Sequence, residues 1–188
     1  MKAAFLDRDG TINVDHGWTS KIDQWEWAPK AIEGLRAFQN AGYALMVVTN
    51  QSGIDMGYYT QEDVETLHQW MMDEAAKEGI RFTAIAYCPH AKENPCGCRK
   101  PDVGMARDLE KGLGAEIDYA ESWMVGDKPG DVQFGKNLGM RTALIQSRYW
   151  GDGELECIPD VIVANLFDAA MWADGVVDNF YDASTSIQ

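Results

Sequence analysis

The run Phe5-Leu6-Asp7-Arg8-Asp9-Gly10-Thr11 places two aspartates two residues apart. At the end of a strand that spacing turns both carboxylates to one side and Arg8 to the other. Adjacent carboxylates repel, and their pKa values separate. A divalent cation relieves the repulsion and leaves one carboxylate ionised and nucleophilic, while the other takes or gives a proton. Gly10 lets the chain turn sharply and bring backbone N–H groups to an anion. The residue types alone do not say which aspartate attacks. An EF-hand is excluded, because the loop lacks the later acids and the terminal glutamate.

Three more clusters carry chemistry. Thr49-Asn50-Gln51-Ser52-Gly53 offers a hydroxyl and backbone amides able to hold a phosphate oxygen. In Gly126-Asp127-Lys128-Pro129-Gly130-Asp131, Asp127 can ligate a cation, Asp131 can support it one turn on, and Lys128 can meet an anion. Lys100, just before a helix, can neutralise a transferring phosphoryl group. Cys88, His90, Cys96 and Cys98 form a Cys₃His set of the kind zinc takes tetrahedrally. Four protein ligands close such a site, so its zinc is structural, and it aims Arg99 and Lys100 back at the active end. Cys157, His16 and His68 read as ordinary residues, with His68 at an exposed or half-buried helix position.

These clusters fall at the ends of short apolar runs. Strands are expected at residues 2–6, 43–48, 83–87, 122–125, 141–145 and 160–163, and residues 10–28 read as a long loop. Helices are expected after Pro29, from a Thr60 cap to about Lys77, over Pro101–Leu113 and over Pro129–Leu138. The alternation predicts an α/β fold with a parallel sheet between helices. In such sheets ligands bind beyond the carboxyl ends of the strands, where Asp7, Asp9, Thr49, Cys88 and Asp127 fall.

The formal net charge is −14, which argues against nucleic acid or an anionic membrane as a partner. Residues 149–188 hold eight acids and no base. The expected organisation is one domain over 1–173 and an acidic tail over 174–188. The N-terminus shows no secretory h-region and no apolar run is long enough to span a bilayer, so a cytoplasmic protein is expected, and a monomer is the default because no long surplus amphipathic helix appears. Walker A, GxGxxG and GxSxG motifs are absent from the sequence, which withdraws support from ordinary nucleotide switches and serine hydrolases.

FLDRDGTIN, VVTNQSG, CRKP and MVGDKPGD resemble, in order, the four motifs of the haloacid dehalogenase (HAD) superfamily of phosphatases. The CPH…CxC loop is similar to that of a zinc-bearing branch shared by heptose-bisphosphate phosphatases and histidinol-phosphate phosphatases. The resemblance implies a three-layer Rossmann-like fold with no large cap domain. It implies an aspartyl-phosphate on Asp7, acid–base work by Asp9, and Mg²⁺ held by Asp7, the Asp9 carbonyl and Asp127. It further implies that Thr49 and Lys100 stabilise the phosphoryl group, that Asp15, His16, Gly17 and Trp18 with Asn50, Gln51 and Ser52 contact substrate, and that Arg99 and Lys128 aid recognition. The substrate so implied is a small phosphorylated sugar, losing the 7-phosphate of a heptose 1,7-bisphosphate. Five residues between His90 and Cys96 are closer to the histidinol-phosphate branch, whereas Val14-Asp15-His16-Gly17-Trp18 favours the heptose branch. A catalytically idle phosphosugar-binding or scaffold protein is the alternative of another class. Trp25 and Trp27 are expected to pack the 13–28 loop onto the body.

Overall fold

The computed structural model describes residues 1–147 and 157–175. Six strands form one fully parallel sheet: β1 (Ala3–Leu6), β2 (Ala44–Asn50), β3 (Phe82–Cys88), β4 (Trp123–Gly126), β5 (Arg141–Ile145) and β6 (Val161–Val163). Their spatial order is β3-β2-β1-β4-β5-β6. β1 reads Ala-Ala-Phe-Leu and is buried throughout, as a strand covered on both faces must be. Its alternating side chains feed two cores. Ala4 and Leu6 join Leu45 and Val47 beneath helices α1 (Ala31–Asn40), α2 (Gln61–Lys77) and α5 (Leu166–Ala173). Ala3 and Phe5 join Met46, Val48 and Met124 beneath α3 (Gly104–Leu113) and α4 (Pro129–Asn137). The result is the expected three-layer sandwich.

Local chemistry explains most boundaries. Thr60 caps α2, its Oγ1 accepting from Asp63 N at 3.1 Å while Asp63 Oδ2 accepts from Thr60 N at 2.8 Å. Pro129 opens α4 at its first turn. α3 begins at Gly104 rather than at Pro101, because residues 99–103 first close a turn, with Asp102 N donating to Arg99 O at 2.7 Å. The 10–28 segment is more ordered than a plain loop. It carries a 3₁₀ turn at Ile22–Gln24 and a bridge between Asn13 and Trp27. Trp25 stacks edge-on against Trp27 and Trp70, with centroids 5.2 and 5.9 Å away, which fastens the segment to α2 as expected. Helix α5 was outside the sequence expectations, and Asn165 caps it by accepting from Asp168 N at 3.0 Å.

The β1–β2 and β2–β3 connections hold one α-helix each, with the 3₁₀ turn the only other helical piece in them, so among the described residues no cap domain stands over the strand tips. Among the described residues no helix is long and apolar enough to cross a membrane. Most of the acidic 174–188 segment lies outside the described residues.

Candidate active site

The chain winds from β1 through β2 to β3 on one side, and β4 then starts the other side next to β1. The tips of β1 and β4 therefore flank the switch point, where open α/β sheets place their ligands. Asp7 and Asp127 extend those two tips. Two glycines permit the approach. Gly10 has φ +89°, and a Cβ there would lie 2.2 Å from Asp127 Oδ2; a Cβ on Gly126 would lie 2.2 Å from Asp131 Oδ2.

Lys100 lies almost wholly inside the protein between two carboxylates. Its Nζ stands 2.9 Å from Asp7 Oδ1 and 2.7 Å from Asp131 Oδ1, and it donates to the Val48 carbonyl at 2.6 Å. Burial alone would raise the Asp7 carboxyl, but Lys100 and then Lys128 hold it below the usual carboxylate range. Burial would lower Lys100, yet Asp131 and Asp7 keep its ammonium above its ordinary value. Asp7 is thus ionised, and it faces a cleft. Asp131 also accepts from Lys128 N at 3.0 Å, so one side chain both closes the start of α4 and aims Lys100.

Lys128 Nζ reaches Asp127 Oδ1 at 2.9 Å, the Asp9 carbonyl at 3.1 Å and Asp7 Oδ2 at 3.7 Å. The three oxygen groups that the motifs single out for a cation converge on one ammonium. Asp7, Asp127 and Asp131 offer carboxylate oxygens within 4.8 Å of one another. Asp127 Oδ2 is buried without a hydrogen-bond partner among the described residues. Burial, opposed by Lys128 and reinforced by Asp7 and Asp131, pushes the Asp127 carboxyl up to about 7. An all-oxygen set with an orphaned acceptor suits a hard divalent cation.

The cleft has a volume of about 660 Å³, within the usual range for small-molecule sites. It brings together Asp7, Asp9, Asp15, Gly17, Trp18, Thr49, Asn50, Gln51, Ser52, Arg99, Lys100 and Lys128, nearly every residue the motifs single out for catalysis or substrate contact. Asp15 Oδ2 stands 3.5 Å from Lys128 Nζ, and Trp18 stacks on Tyr58 at 4.9 Å on the exposed lip. His16 is the exception. Its Nε2 is 2.9 Å from Glu26 Oε2, and it lines a neighbouring surface hollow instead. Gln51 borders the cleft, but its amide is spent inside the protein, on Asp9, Thr49 and Tyr59.

At the far wall, Cys88 Sγ lies 3.2 Å from Cys98 Sγ, 3.7 Å from Cys96 Sγ and 3.6 Å from His90 Nδ1; Cys98 Sγ is 3.4 Å from that nitrogen. A tetrahedron with metal–sulfur bonds of about 2.3 Å has edges near 3.8 Å, so these atoms are set to hold a metal ion. The cluster is tied to the catalytic side. Gln51 N donates to Cys88 O at 2.7 Å, Arg99 NH1 to His90 O at 3.0 Å, and Lys100 N to Asn50 Oδ1 at 3.0 Å.

Sequence reasoning missed Arg8, His68 and Tyr59. Arg8 does point away from the cleft, but its guanidinium folds back to Asp9 and is fully buried. His68 is 4 % exposed rather than half-buried, because α2 turns it toward Arg8. A long charged residue between two strand-end aspartates was the only available signal.

Fold and cluster together define a phosphohydrolase of the haloacid dehalogenase type. Residues 2–150 match the family model described as polynucleotide kinase 3 phosphatase. A D-glycero-beta-D-manno-heptose-1,7-bisphosphate 7-phosphatase of Haemophilus ducreyi is 38 % identical over 177 residues, covering 89 % of this chain and 95 % of that protein. The protein of the same description from Escherichia coli K12 is 45 % identical over 140 residues, 71 % of this chain and 72 % of its own. The crystal structure of the D,D-heptose 1,7-bisphosphate phosphatase from B. bronchiseptica, complexed with magnesium and phosphate, superposes with a TM-score of 0.82 at 28 % identity, covering 94 % of this chain and all of that one. The chain belongs to the polynucleotide kinase 3 phosphatase family, and it is a phosphatase related over most of its length to the heptose-bisphosphate phosphatases.

Proposed function

We propose that the protein removes the 7-phosphate of D-glycero-β-D-manno-heptose 1,7-bisphosphate through an aspartyl-phosphate on Asp7, with Mg²⁺ as the catalytic cation and Zn²⁺ in the Cys₃His loop. The observation that carries the reading is the Asp7 carboxylate, buried, held ionised by Lys100 and Lys128, and open to the cleft. One Asp7 oxygen attacks phosphorus as the P–O bond to the sugar breaks. Asp9 gives its proton to the departing alkoxide, then takes one from the water that attacks the acyl phosphate. The Thr49 hydroxyl and Lys100 hold the non-bridging oxygens. Mg²⁺, held by Asp7, Asp127 and the Asp9 carbonyl, supplies Lewis-acid stabilisation and alignment. Zn²⁺ braces the loop that carries Arg99 and Lys100.

The outer wall supports a bisphosphate. Lys92 and Arg99 line the cleft, and no carboxylate among the described residues pairs with either. Lys100 and Lys128 serve the reacting end beside Asp7, so the outer pair is left to meet a second, non-reacting phosphate. Histidinol phosphate has no second phosphate to offer them. The family description also raises a 3′-phosphorylated polynucleotide, but a net charge of −14 opposes an extended polyanion.

A phosphate-release panel with Mg²⁺ tests this reading, using both anomers of the heptose bisphosphate, histidinol phosphate and a 3′-phosphorylated oligonucleotide. The β-anomer is expected to give the highest kcat/KM. A preference for either of the last two would overturn the substrate, and silence on every ester would leave the scaffold reading.

A further inference from the structure

Asp9 receives four hydrogen bonds on two oxygens. Arg8 NH2 donates to Oδ1 at 3.0 Å and Oδ2 at 2.9 Å, Asn13 Nδ2 to Oδ1 at 3.0 Å, and Gln51 Nε2 to Oδ2 at 2.9 Å. The Arg8 nitrogen is shared between both oxygens, so a proton on Asp9 is accommodated by keeping only one of those bonds.

Arg8 is itself held from behind. Its side chain is fully buried, NH2 donates to the Thr19 carbonyl at 2.6 Å, and NH1 stands 3.2 Å from His68 Nε2. Arginine has no acceptor, so the His68 nitrogen facing it must accept. Burial, then Arg8, lowers the His68 imidazole to about 3, which keeps it neutral and able to do so. Gln51 is oriented by the same logic. The Tyr59 hydroxyl donates to its Oε1 at 2.8 Å, and Arg8 NH2 stands 3.3 Å from the same oxygen. Its Nε2 must then face Asp9 and Thr49 Oγ1, each 2.9 Å away. One amide thereby fixes the angle between Asp9 and the Thr49 hydroxyl. His68 does not line the cleft. A buried guanidinium needs partners, and of those Arg8 has, Asp9 and Gln51 border the cleft while the Thr19 carbonyl and His68 hold it from behind.

We propose that Arg8, Gln51 and His68 are positioning residues that set the Asp9 carboxyl on the leaving oxygen, with His68 acting through Arg8. The inference rests on Asp9 being the acid–base group. A misplacement near 1 Å costs about 10²-fold in rate, so the effect is large enough to read.

The leaving group separates aim from folding. A sugar alkoxide must be protonated to depart, whereas p-nitrophenolate departs without help. Because kcat/KM reports the steps up to departure, it is measured with Mg²⁺ for heptose 1,7-bisphosphate and for p-nitrophenyl phosphate. Asp9→Asn sets the scale, with a loss of about 10²–10⁴-fold expected on the sugar ester and far less on the aryl ester. Gln51→Leu, which also frees the Thr49 hydroxyl, is expected to lose about 10²-fold on the sugar ester and at least about tenfold less than that on the aryl ester; His68→Leu, away from the cleft, is expected to lose about tenfold on the sugar ester and under about threefold on the aryl ester. His68→Gln, which keeps an acceptor, is expected to recover to within about threefold of wild type. Tyr59→Phe is the milder variant should a leucine variant fail to fold, and its loss is likewise expected to fall on the sugar ester. Equal losses on both esters, or no recovery with His68→Gln, would overturn the positioning role. A leaving-group-independent loss in Asp9→Asn would overturn the assignment of Asp9 and the inference with it.

Discussion

Replacing Lys100 with methionine tests whether one buried ammonium serves both folding and catalysis. In the wild type it lies 2.9 Å from Asp7 and 2.7 Å from Asp131, with both partners almost wholly buried. Methionine fills most of the stem volume but leaves two interior carboxylates without that partner, and Asp7 keeps only Lys128 at 3.7 Å. Breaking a buried pair in this way costs about 3–5 kcal/mol. At an m-value of about 2 kcal/mol/M in urea, the unfolding midpoint should fall by about 2 M. Adding Asp131→Asn removes one of the two orphaned charges and should return about 1 M of that loss. It should not return activity, because the lysine that faces the phosphoryl oxygens is still missing; phosphate release should stay at least about 10²-fold below wild type in both variants. The pH dependence has a definite sign. In the wild type the Asp7 carboxyl is held below its unfolded value, so its contribution is present above that value and lost on acidification. Without Lys100, burial raises the carboxyl, and protonation relieves the strain. The stability gap between wild type and Lys100→Met should therefore narrow as pH falls from 6 toward about 4. A midpoint within about 0.5 M of wild type, or activity restored by Asp131→Asn, would refute the reasoning.

His68 gives a second pH signature. Its imidazole is lowered from 6.5 to about 3, so below 6.5 the unfolded chain binds a proton that the folded protein refuses, and stability falls as pH drops. Relative to His68→Gln, the wild type should lose about 3 kcal/mol between pH 7 and pH 4 by urea unfolding; parallel curves would contradict this. Removal of the loop metal by a chelator, or Cys96→Ser, should lower the melting temperature and reduce phosphate release together, since the loop carries Arg99 and Lys100; an unchanged melt would contradict the Cys₃His brace. Lys92→Ala and Arg99→Ala should each raise KM for the bisphosphate about tenfold and leave a heptose 7-monophosphate nearly unaffected; equal effects on both substrates would argue against a second phosphate at the outer wall.

The sheet, its three layers and the residues at its tips were legible from the sequence because local signals agreed. Buried apolar runs ended in Asp7, Thr49 and Asp127, and Thr60 and Pro129 marked helix starts that the structure keeps. Gathering Asp7, Thr49 and Lys128 into one cleft needed only the parallel topology. Other features depend on long-range packing that no local pattern encodes. α5 is eight residues of nearly uniform apolarity, too short for a helical period to stand out beyond its Asn165 cap. His68 looked ordinary because its role depends on a guanidinium 60 positions away in the chain. Gln51 sits in a motif that suggested substrate contact, yet Tyr59 and Arg8 turn its amide inward. His16 sits in the segment expected to meet sugar hydroxyls, but Glu26 holds it outside the cleft.

The central claim is that Asp7 carries the phosphoryl group. Protein mixed with heptose 1,7-bisphosphate and Mg²⁺ is quenched in acid within the first turnover, and the peptide bearing Asp7 is examined by mass spectrometry. One phosphoryl group on that peptide, lost in Asp7→Asn while the variant still unfolds in a single cooperative transition, is the expected result. Turnover by Asp7→Asn at the wild-type rate, or phosphate trapped on another residue, would contradict the account.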